Sequence, residues 1–172
     1  GVGLAIGIKG MSHEDIPRVA MLSATFFVAS TVHIPLGPSS THLLLGGLMG
    51  CMLGWSVFPA VLVALTLQML FFGFGGATVL GVNPLLMATP GVVCYYLLQP
   101  CQAARTERSV FVRGLLAGAT GVVLACLFAA GTLYTGGQEF RALIYALLTV
   151  HAPVAVIEAL MTGFILTFLH KV

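Results

Sequence analysis

Six polar side chains interrupt long apolar stretches and are the first candidates for chemistry: His33, His42, Gln68, Asn83, His151 and Glu158. A polar group at the depth of a lipid bilayer is costly, so each is a functional candidate unless it simply pairs with another group inside a helical bundle. Their spacing and their neighbours decide which chemistry is open to them.

His42 has the most suggestive surroundings of the six. It follows Ser39, Ser40 and Thr41, whose hydroxyl groups can cap a helix that begins at about residue 41. An imidazole at such a helix end could ligate a metal ion. One histidine is not a metal site, because borderline divalent metals take several nitrogen, sulfur or oxygen ligands. The spacing alone therefore leaves a capping or core role open beside the role of a ligand.

His151 and Glu158 are two helical turns apart, so they share one helix face and form a predicted buried polar helix pair. Such a pair fits a helix-packing hydrogen bond, and it also fits a proton or metal relay. His33 precedes Pro35 at the end of a predicted helix, where a role at the helix boundary is favoured over metal ligation.

Catalytic signatures are absent from the sequence. It contains no G-x-S-x-G motif, no H-E-x-x-H motif and no P-loop, so the chain has no ATP site of its own. The cysteines, Cys51, Cys94, Cys101 and Cys126, show no C-x-x-C spacing and are interpreted as small packing residues. The basic residues are dispersed, whereas nucleic-acid-binding proteins cluster them on one face. We expect no nucleic-acid partner and no organic cofactor.

The composition sets the environment of these residues. Apolar residues make up 59% of the chain, charged residues only 7%, and the mean hydropathy is +1.07. A soluble domain carries about a quarter charged residues. The exterior must therefore face lipid, and the sequence predicts a single all-α transmembrane domain over residues 1–172.

The predicted spans follow from apolar runs between polar or glycine-rich segments. A spanning helix needs about 20 residues, and an apolar run that ends at Lys9 is much shorter. Residues 1–8 are therefore expected to be the remnant of a helix whose beginning precedes this sequence. About six spans follow, at 19–35, 41–54, 56–73, 84–100, 110–135 and 153–170, the last beginning near Pro153.

The basic residues predict the orientation of this bundle, because cytoplasmic loops carry an excess of Lys and Arg. Alternating spans bring loops 9–18 and 101–113 and the C-terminus to one side, which is predicted to be the cytoplasm. Six of the seven basic residues then lie inside, and Arg141 lies outside. His42, the glycine-rich segment at residues 74–84 and His151 fall on the external side.

Three segments, HIPLGPSSTHLLLGGLMG, LQMLFFGFGGATVLGVN and HAPVAVIEALMTGF, occur in this order and spacing. Together they resemble the CbiM/NikM family, the substrate-capture subunits of energy-coupling-factor transporters for cobalt and nickel. The resemblance implies a bacterial cell-membrane protein that is not itself an enzyme and that takes up Co²⁺ or Ni²⁺ from outside. The partners it implies are a transmembrane coupling subunit, cytoplasmic ATPases that hydrolyse ATP, and a small accessory membrane subunit.

The resemblance also assigns roles to single residues. The histidine of the family's S-x-H element is a metal ligand, and the matching residue here is His42. Ser40 of that element and His33 are expected to support the site. The glycine loop at Gly75 and Gly76 and the nearby Asn83 match a family segment close to the metal, so they are expected to support it without contacting it.

Two features depart from the family pattern. Members begin with Met-His-Ile, whose terminal amine and histidine complete a nitrogen-rich site, and this start does not occur here, so we expect it to precede the sequence in hand. Many cobalt-specific members carry Ser-Cys-Ser-His where this chain has Ser39, Ser40, Thr41 and His42, so the choice between cobalt and nickel stays open.

Two other classes of function stay open at this point. The first is an intramembrane enzyme that uses His42, His151 and Glu158, with zinc as a candidate metal. It requires these three side chains to converge on one point. The second is a structural membrane subunit, which would bind no metal.

Overall fold

The computed structural model describes residues 1–31, 33–36, 39–73, 80–98 and 106–172, without the side chains at 33–36, 39–41 and 138. Seven helices and one short hairpin occur in these ranges. In chain order the elements are α1 Val2–Lys9, α2 Ile16–Thr31, β1 His33–Leu36, β2 Ser39–His42, α3 Gly46–Leu53, α4 Val57–Phe72, α5 Asn83–Leu98, α6 Glu107–Gly136 and α7 Arg141–Lys171. Short 3-10 turns at His13–Asp15, Gly54–Ser56 and Gln138–Phe140 precede α2, α4 and α7.

Polar residues outside the apolar runs set where two of the helices begin. Ser12 and Asp15 form a capping box before α2, in which the Ser12 hydroxyl and backbone N–H both donate to the Asp15 carboxylate. These two bonds lower the pKa of Asp15 below its ordinary value. Thr106 caps α6 by accepting a bond of 3.3 Å from the Ser109 backbone N–H.

Helices α3 and α5 run in parallel in close contact. A Cβ atom on Gly50 would overlap the backbone carbonyl of Gly91, and a Cβ on Gly54, one turn later, would lie 3.2 Å from the ring of Tyr95. Later residues of α3 thus contact later residues of α5, so the two helices run in the same direction. Because no side chain separates Gly50 from Gly91, the two backbones approach as closely as small residues allow in membrane bundles.

Helix α4 runs in the opposite direction to α3 and α5. A Cβ on Gly91, in the middle of α5, would lie 3.4 Å from the side chain of Val57 at the start of α4, whereas Leu62 lines a cavity with Pro84 at the beginning of α5. The chain therefore reverses at Gly54–Ser56. Gly54 has φ +55°, a conformation that favours glycine, and this permits the sharp turn.

Helices α6 and α7 form an antiparallel pair. A Cβ on Gly114 would lie 2.7 Å from Gly163, and one on Gly118 would overlap the carbonyl of Glu158. The Lys171 ammonium pairs with the Glu107 carboxylate at 2.9 Å, so the end of α7 lies beside the beginning of α6.

These contacts define two ends of the bundle. The basic end holds Arg18, Trp55, Glu107, His170 and Lys171; Arg18 and His170 line one cavity of about 290 Å³ there, together with Cys51, Met52, Val110, Leu166 and Leu169. The hairpin end holds the β1–β2 hairpin and the first residues of α5. Helices α2 and α4 run from the basic end to the hairpin end, since Ser30 contacts Gln68 and Phe27 stacks on Phe72.

The exterior of the bundle is apolar, as a lipid-facing surface must be. Phe71 is 72% exposed and Phe164 is 63% exposed, among many other large apolar side chains. Glu107–Gly136 and Arg141–Lys171 are each long and apolar enough to cross a membrane. The stretch Gly46–Phe72 is as apolar and has the length by residue count, but it folds back at Gly54–Ser56. The prediction of a membrane-embedded helical bundle is confirmed.

The predicted number of spans is not confirmed. Helix α3 has eight residues, which at 1.5 Å per residue covers about 12 Å of a hydrocarbon core of about 30 Å. The predicted boundary between the spans 41–54 and 56–73 matches the turn at Gly54–Ser56. The helices predicted at 1–8, 84–100 and 110–135 match the structure within a few residues, although residues 99 and 100 lie outside the described part.

Three boundaries predicted from the sequence are wrong. Helix α2 ends at Thr31 and not at residue 35, because the chain passes into the antiparallel hairpin in which His33 lies opposite His42. Helix α3 begins at Gly46 and not at residue 41. Helix α7 begins at Arg141 and continues through Pro153, a residue that membrane helices tolerate. Apart from this short hairpin the described elements are helical, in agreement with the predicted all-α class.

Replacing Gly50 by Ala tests the α3–α5 contact. The added methyl group meets the backbone of Gly91, which cannot rotate away, so the helices must separate. We expect a destabilisation of about 1–3 kcal/mol, the usual cost of overpacking. It would appear as a lower midpoint of thermal unfolding for the purified protein in detergent.

Gly131→Ala is the matched control, because Gly131 lies within α6 and a Cβ there has no atom within 4 Å among the described residues. This variant should be as stable as the wild type or more stable by about 0.5–1 kcal/mol, since alanine is the better helix former. Equal effects of the two substitutions would contradict the packing described above.

Candidate functional site

A cavity of about 200 Å³ lies at the hairpin end, between α5, α6, α7 and the segment that joins β2 to α3. Its polar lining comes from four residues of different elements, His42, Asn83, Cys126 and His151. The remaining lining is apolar: Leu44, Leu86, Met87, Ala125, Ala129 and Leu147. Two imidazoles, a thiol and an amide therefore share one otherwise apolar chamber.

His42 is the last residue of β2 and is partly buried. Its Nδ1 lies 3.1 Å from the backbone carbonyl oxygen of Leu43. A carbonyl oxygen can only accept, so Nδ1 carries the hydrogen and the lone pair of the neutral ring is on Nε2. Metal-binding histidines usually donate the N–H of one ring nitrogen to such an acceptor and bind the metal through the other ring nitrogen.

His151 shows the same arrangement in the third turn of α7. Its Nδ1 lies 2.9 Å from the carbonyl oxygen of Leu147, so here too Nδ1 donates and Nε2 carries the lone pair of the neutral ring. The two imidazoles come from residues more than a hundred positions apart in the chain, and the fold brings both to the same cavity.

Glu158 is fully buried, with 0% exposure, two turns beyond His151, the last cavity-lining residue of α7. Its Oε1 accepts hydrogen bonds from the backbone N–H groups of Leu44 and of Leu45, the second at 3.0 Å. Both donors come immediately before α3. The first N–H groups of a helix have no partner within the helix, and the positive end of the helix dipole favours a carboxylate there.

This finding corrects the predicted cap. Ser39, Ser40 and Thr41 lie in β2, several residues before α3 begins, and they are not at its N-terminus. The acceptor comes instead from a distant part of the chain. The predicted pair of His151 and Glu158 does share the inner face of α7, but the hydrogen bonds described for the two side chains lead to different partners.

Leu45 adopts a left-handed conformation with φ +46°, and it is the one non-glycine residue with positive φ in the described part of the chain. Such a conformation costs about 1–3 kcal/mol and persists where the surroundings enforce it. The bond from its N–H to Glu158 and the burial of its side chain, which is 2% exposed, supply that enforcement. The strained residue forms the junction between the hairpin segment and α3.

Glycines let α3 reach the middle of the bundle. A Cβ on Gly47 would overlap the carbonyl of Ala117 in α6, and a Cβ on Gly121 would lie 2.5 Å from the backbone nitrogen of Gly47. The N-terminus of α3 is therefore wedged against α6, directly beside Glu158 of α7. The cavity lies on the hairpin side of this contact.

The other predicted site residues are placed as follows. Asn83 begins α5 and lines the cavity. His33 and Ser40 lie in the hairpin, with the His33 backbone opposite that of His42. Gly75 and Gly76 lie outside the described residues. Cys126 is a lining residue that sequence analysis missed, because neither its spacing nor its neighbours distinguish it from a packing cysteine.

The donors around the cavity do not form a ready-made metal cage. Within the described ranges, no three residues among His, Cys, Asp and Glu are close enough to hold a metal ion together. The convergence that the enzyme hypothesis requires is also incomplete, since His42 and His151 line the cavity and Glu158 does not. The cavity thus offers a few ligands to a metal ion and needs others to complete the coordination.

Comparison with known proteins places this architecture among metal transporters. Residues 1–172 match the family CbiM, described as the cobalt uptake substrate-specific transmembrane region. A putative metal transport protein of Haemophilus influenzae is 42% identical over 98% of this chain and 83% of its own length. The fused nickel transport protein NikMN of Rhodobacter capsulatus is 34% identical over 71% of this chain, which corresponds to 37% of that longer protein.

A solved structure shares the fold. The crystal structure of a truncated transition metal transporter superimposes with a TM-score of 0.69, covers 99% of this chain and 87% of the other, and is 23% identical in sequence. At this identity the likeness concerns the fold alone.

Proposed function

The chain belongs to the CbiM family, and on that premise we propose that it is the membrane substrate-binding subunit of an energy-coupling-factor importer. In this proposal it captures Co²⁺ or Ni²⁺ at the external face of the bacterial cell membrane. The chain itself is a transporter component and not an enzyme. ATP hydrolysis takes place in partner subunits.

The observation that carries the proposal is the cavity lined by His42 and His151. Imidazole nitrogen is a preferred ligand of Co²⁺ and Ni²⁺, and both rings are held with Nδ1 on a backbone carbonyl. In the proposal His42 is a direct ligand, and the Met-His-Ile segment implied by the family resemblance supplies the remaining nitrogen ligands. Asn83, Ser40 and His33 are proposed to support the site, and the resemblance implies the same role for Gly75 and Gly76.

The proposed orientation of the bundle is supported by its charges. Arg18, Arg108, Arg113 and Lys171 lie in or beside the basic end, and Arg141 follows the 3-10 turn that ends at Phe140. The excess of basic residues favours the cytoplasm for the basic end, which includes loop 9–18, residues 106–113 and the C-terminus. The hairpin end with its cavity is then external. The alternating directions of α2 to α7 support about six crossings.

The proposed partners are a transmembrane coupling subunit, cytoplasmic ATPases and a small accessory membrane subunit. The accessory subunit has support from the relative named as a fused NikMN protein, in which the matching region is part of a longer chain. The substrate is a metal ion with no organic cofactor. A nitrogen-rich site suits both cobalt and nickel, so both are included in the proposal.

Replacing His42 by Ala in the full-length protein tests the proposed function. Removal of a direct ligand should abolish cobalt and nickel uptake by cells that express the whole transporter, while the amount of protein in the membrane stays the same. His151→Ala is the companion variant, since it removes the other imidazole of the cavity. Undiminished uptake by the His42→Ala protein would contradict the assignment.

The cavity itself can be tested through its cysteine. In a protein that retains only Cys126, a bound Ni²⁺ or Co²⁺ ion should slow alkylation of the thiol, because the ion would occupy the chamber that Cys126 lines. The reaction rate with a small thiol reagent is measured with and without metal.

Cys51 is the matched control, because it is 7% exposed against 6% for Cys126 and lines the cavity at the opposite, basic end. A protein that retains only Cys51 should react at the same rate with and without metal. Equal protection of both cysteines would indicate a general tightening of the fold and would argue against metal in the hairpin-end cavity.

A further inference from the structure

We propose that Glu158 is a positioning residue for His42, acting through the single peptide group between Leu43 and Leu44. The inference deepens the proposed function and rests on it, since it concerns the residue that sets the geometry of the capture site. It assigns no metal contact to Glu158.

The connection is short and rigid. The carbonyl oxygen of Leu43 accepts the hydrogen bond from Nδ1 of His42, and the N–H of Leu44 donates to Oε1 of Glu158. These two groups belong to the same peptide unit, whose atoms lie in one plane. Glu158 therefore fixes the orientation of the peptide group to which the His42 ring is hydrogen-bonded.

A second hydrogen bond to Glu158 restricts the same segment further. Leu45 donates to the same carboxylate oxygen at 3.0 Å, and its left-handed backbone begins the turn into α3. Two consecutive N–H groups on one oxygen fix both the position and the direction of the segment that leaves the hairpin. His42 is only two residues before the first of these donors.

The bonding of Glu158 also strengthens the bond to His42. An N–H group that donates to a carboxylate polarises its peptide, so the carbonyl at the other end of that peptide becomes a better acceptor. The hydrogen on Nδ1 is then held more firmly, and the lone pair stays on Nε2. Outer groups that orient a ligating histidine in this way usually affect metal affinity.

The structural contact at the start of α3 uses only one oxygen of this carboxylate. Oε2 of Glu158 and the hydroxyl of Thr162, one turn further along α7, are buried without a hydrogen-bond partner among the described residues. Burying a carboxylate with one unsatisfied oxygen costs free energy, and an apolar contact would join two helices without this cost. Glu158 lies beside the segment that carries His42, and the orientation of His42 accounts for its burial there.

The test compares the metal affinity of the full-length wild-type protein with that of Glu158→Ala and Glu158→Gln. Dissociation constants for Ni²⁺ and Co²⁺ are measured by equilibrium dialysis, and thermal midpoints are measured in parallel. Loss of an orienting group should raise the dissociation constant of Glu158→Ala about 10-fold or more. Glu158→Gln should weaken binding less, because the amide oxygen can still accept from Leu44 and Leu45.

Gln68→Ala is the matched control. Gln68 is a buried polar residue, 8% exposed, whose amide donates to the Ser30 hydroxyl between α4 and α2, and it does not line the cavity. This variant should lose thermal stability and keep the metal affinity of the wild type. A comparable loss of affinity in Gln68→Ala would show that destabilisation alone explains the effect, and it would overturn the proposal.

Two further results complete the test. Wild-type affinity in Glu158→Ala would overturn the positioning role, and so would wild-type affinity in Glu158→Gln together with an Ala variant that fails to assemble. Failure of the proposed function is recognised separately, because then the wild type binds neither metal or His42→Ala binds both as tightly as the wild type does.

Discussion

The whole architecture depends on how one helix begins inside an apolar bundle. Helix α3 starts between α6 and α7 inside an apolar bundle, and a backbone group left without a hydrogen bond in such a place costs several kcal/mol. The Glu158 carboxylate accepts from the two N–H groups that precede the helix. This contact holds the segment after the hairpin at mid-bundle depth and so brings His42 to the cavity wall.

The contact also explains why glycines occur where they do. For Glu158 to reach Leu44 and Leu45, α7 must lie close to α6, and Gly118 allows this because its missing side chain leaves room for the Glu158 backbone. Gly47 and Gly50 allow α3 to approach α6 and α5 in the same way. The cavity is the space that remains above this compact junction, which is why its polar lining comes from four separate elements.

The sequence predicts well those features that depend on local composition. The apolar character of the exterior, the helix α6, the break at Gly54 and the shared end of the bundle for His42 and His151 follow from runs of residues and from the alternation of spans. The hairpin was not predicted, because an apolar segment before Pro35 looks like a helix end. The beginning of α3 was misplaced because nearby serines look like a cap, whereas the true acceptor, Glu158, is more than a hundred residues away. Cys126 has no local signal at all.

The central claim, that Glu158 holds the entrance of α3, is tested most directly by hydrogen exchange at the Leu44 and Leu45 amides of the full-length protein in detergent. The account predicts that both amides exchange as slowly as those in the middle of α6 in the wild type, and that both become fast in Glu158→Ala. Fast exchange of these amides in the wild type, or unchanged slow exchange in the variant, would contradict it.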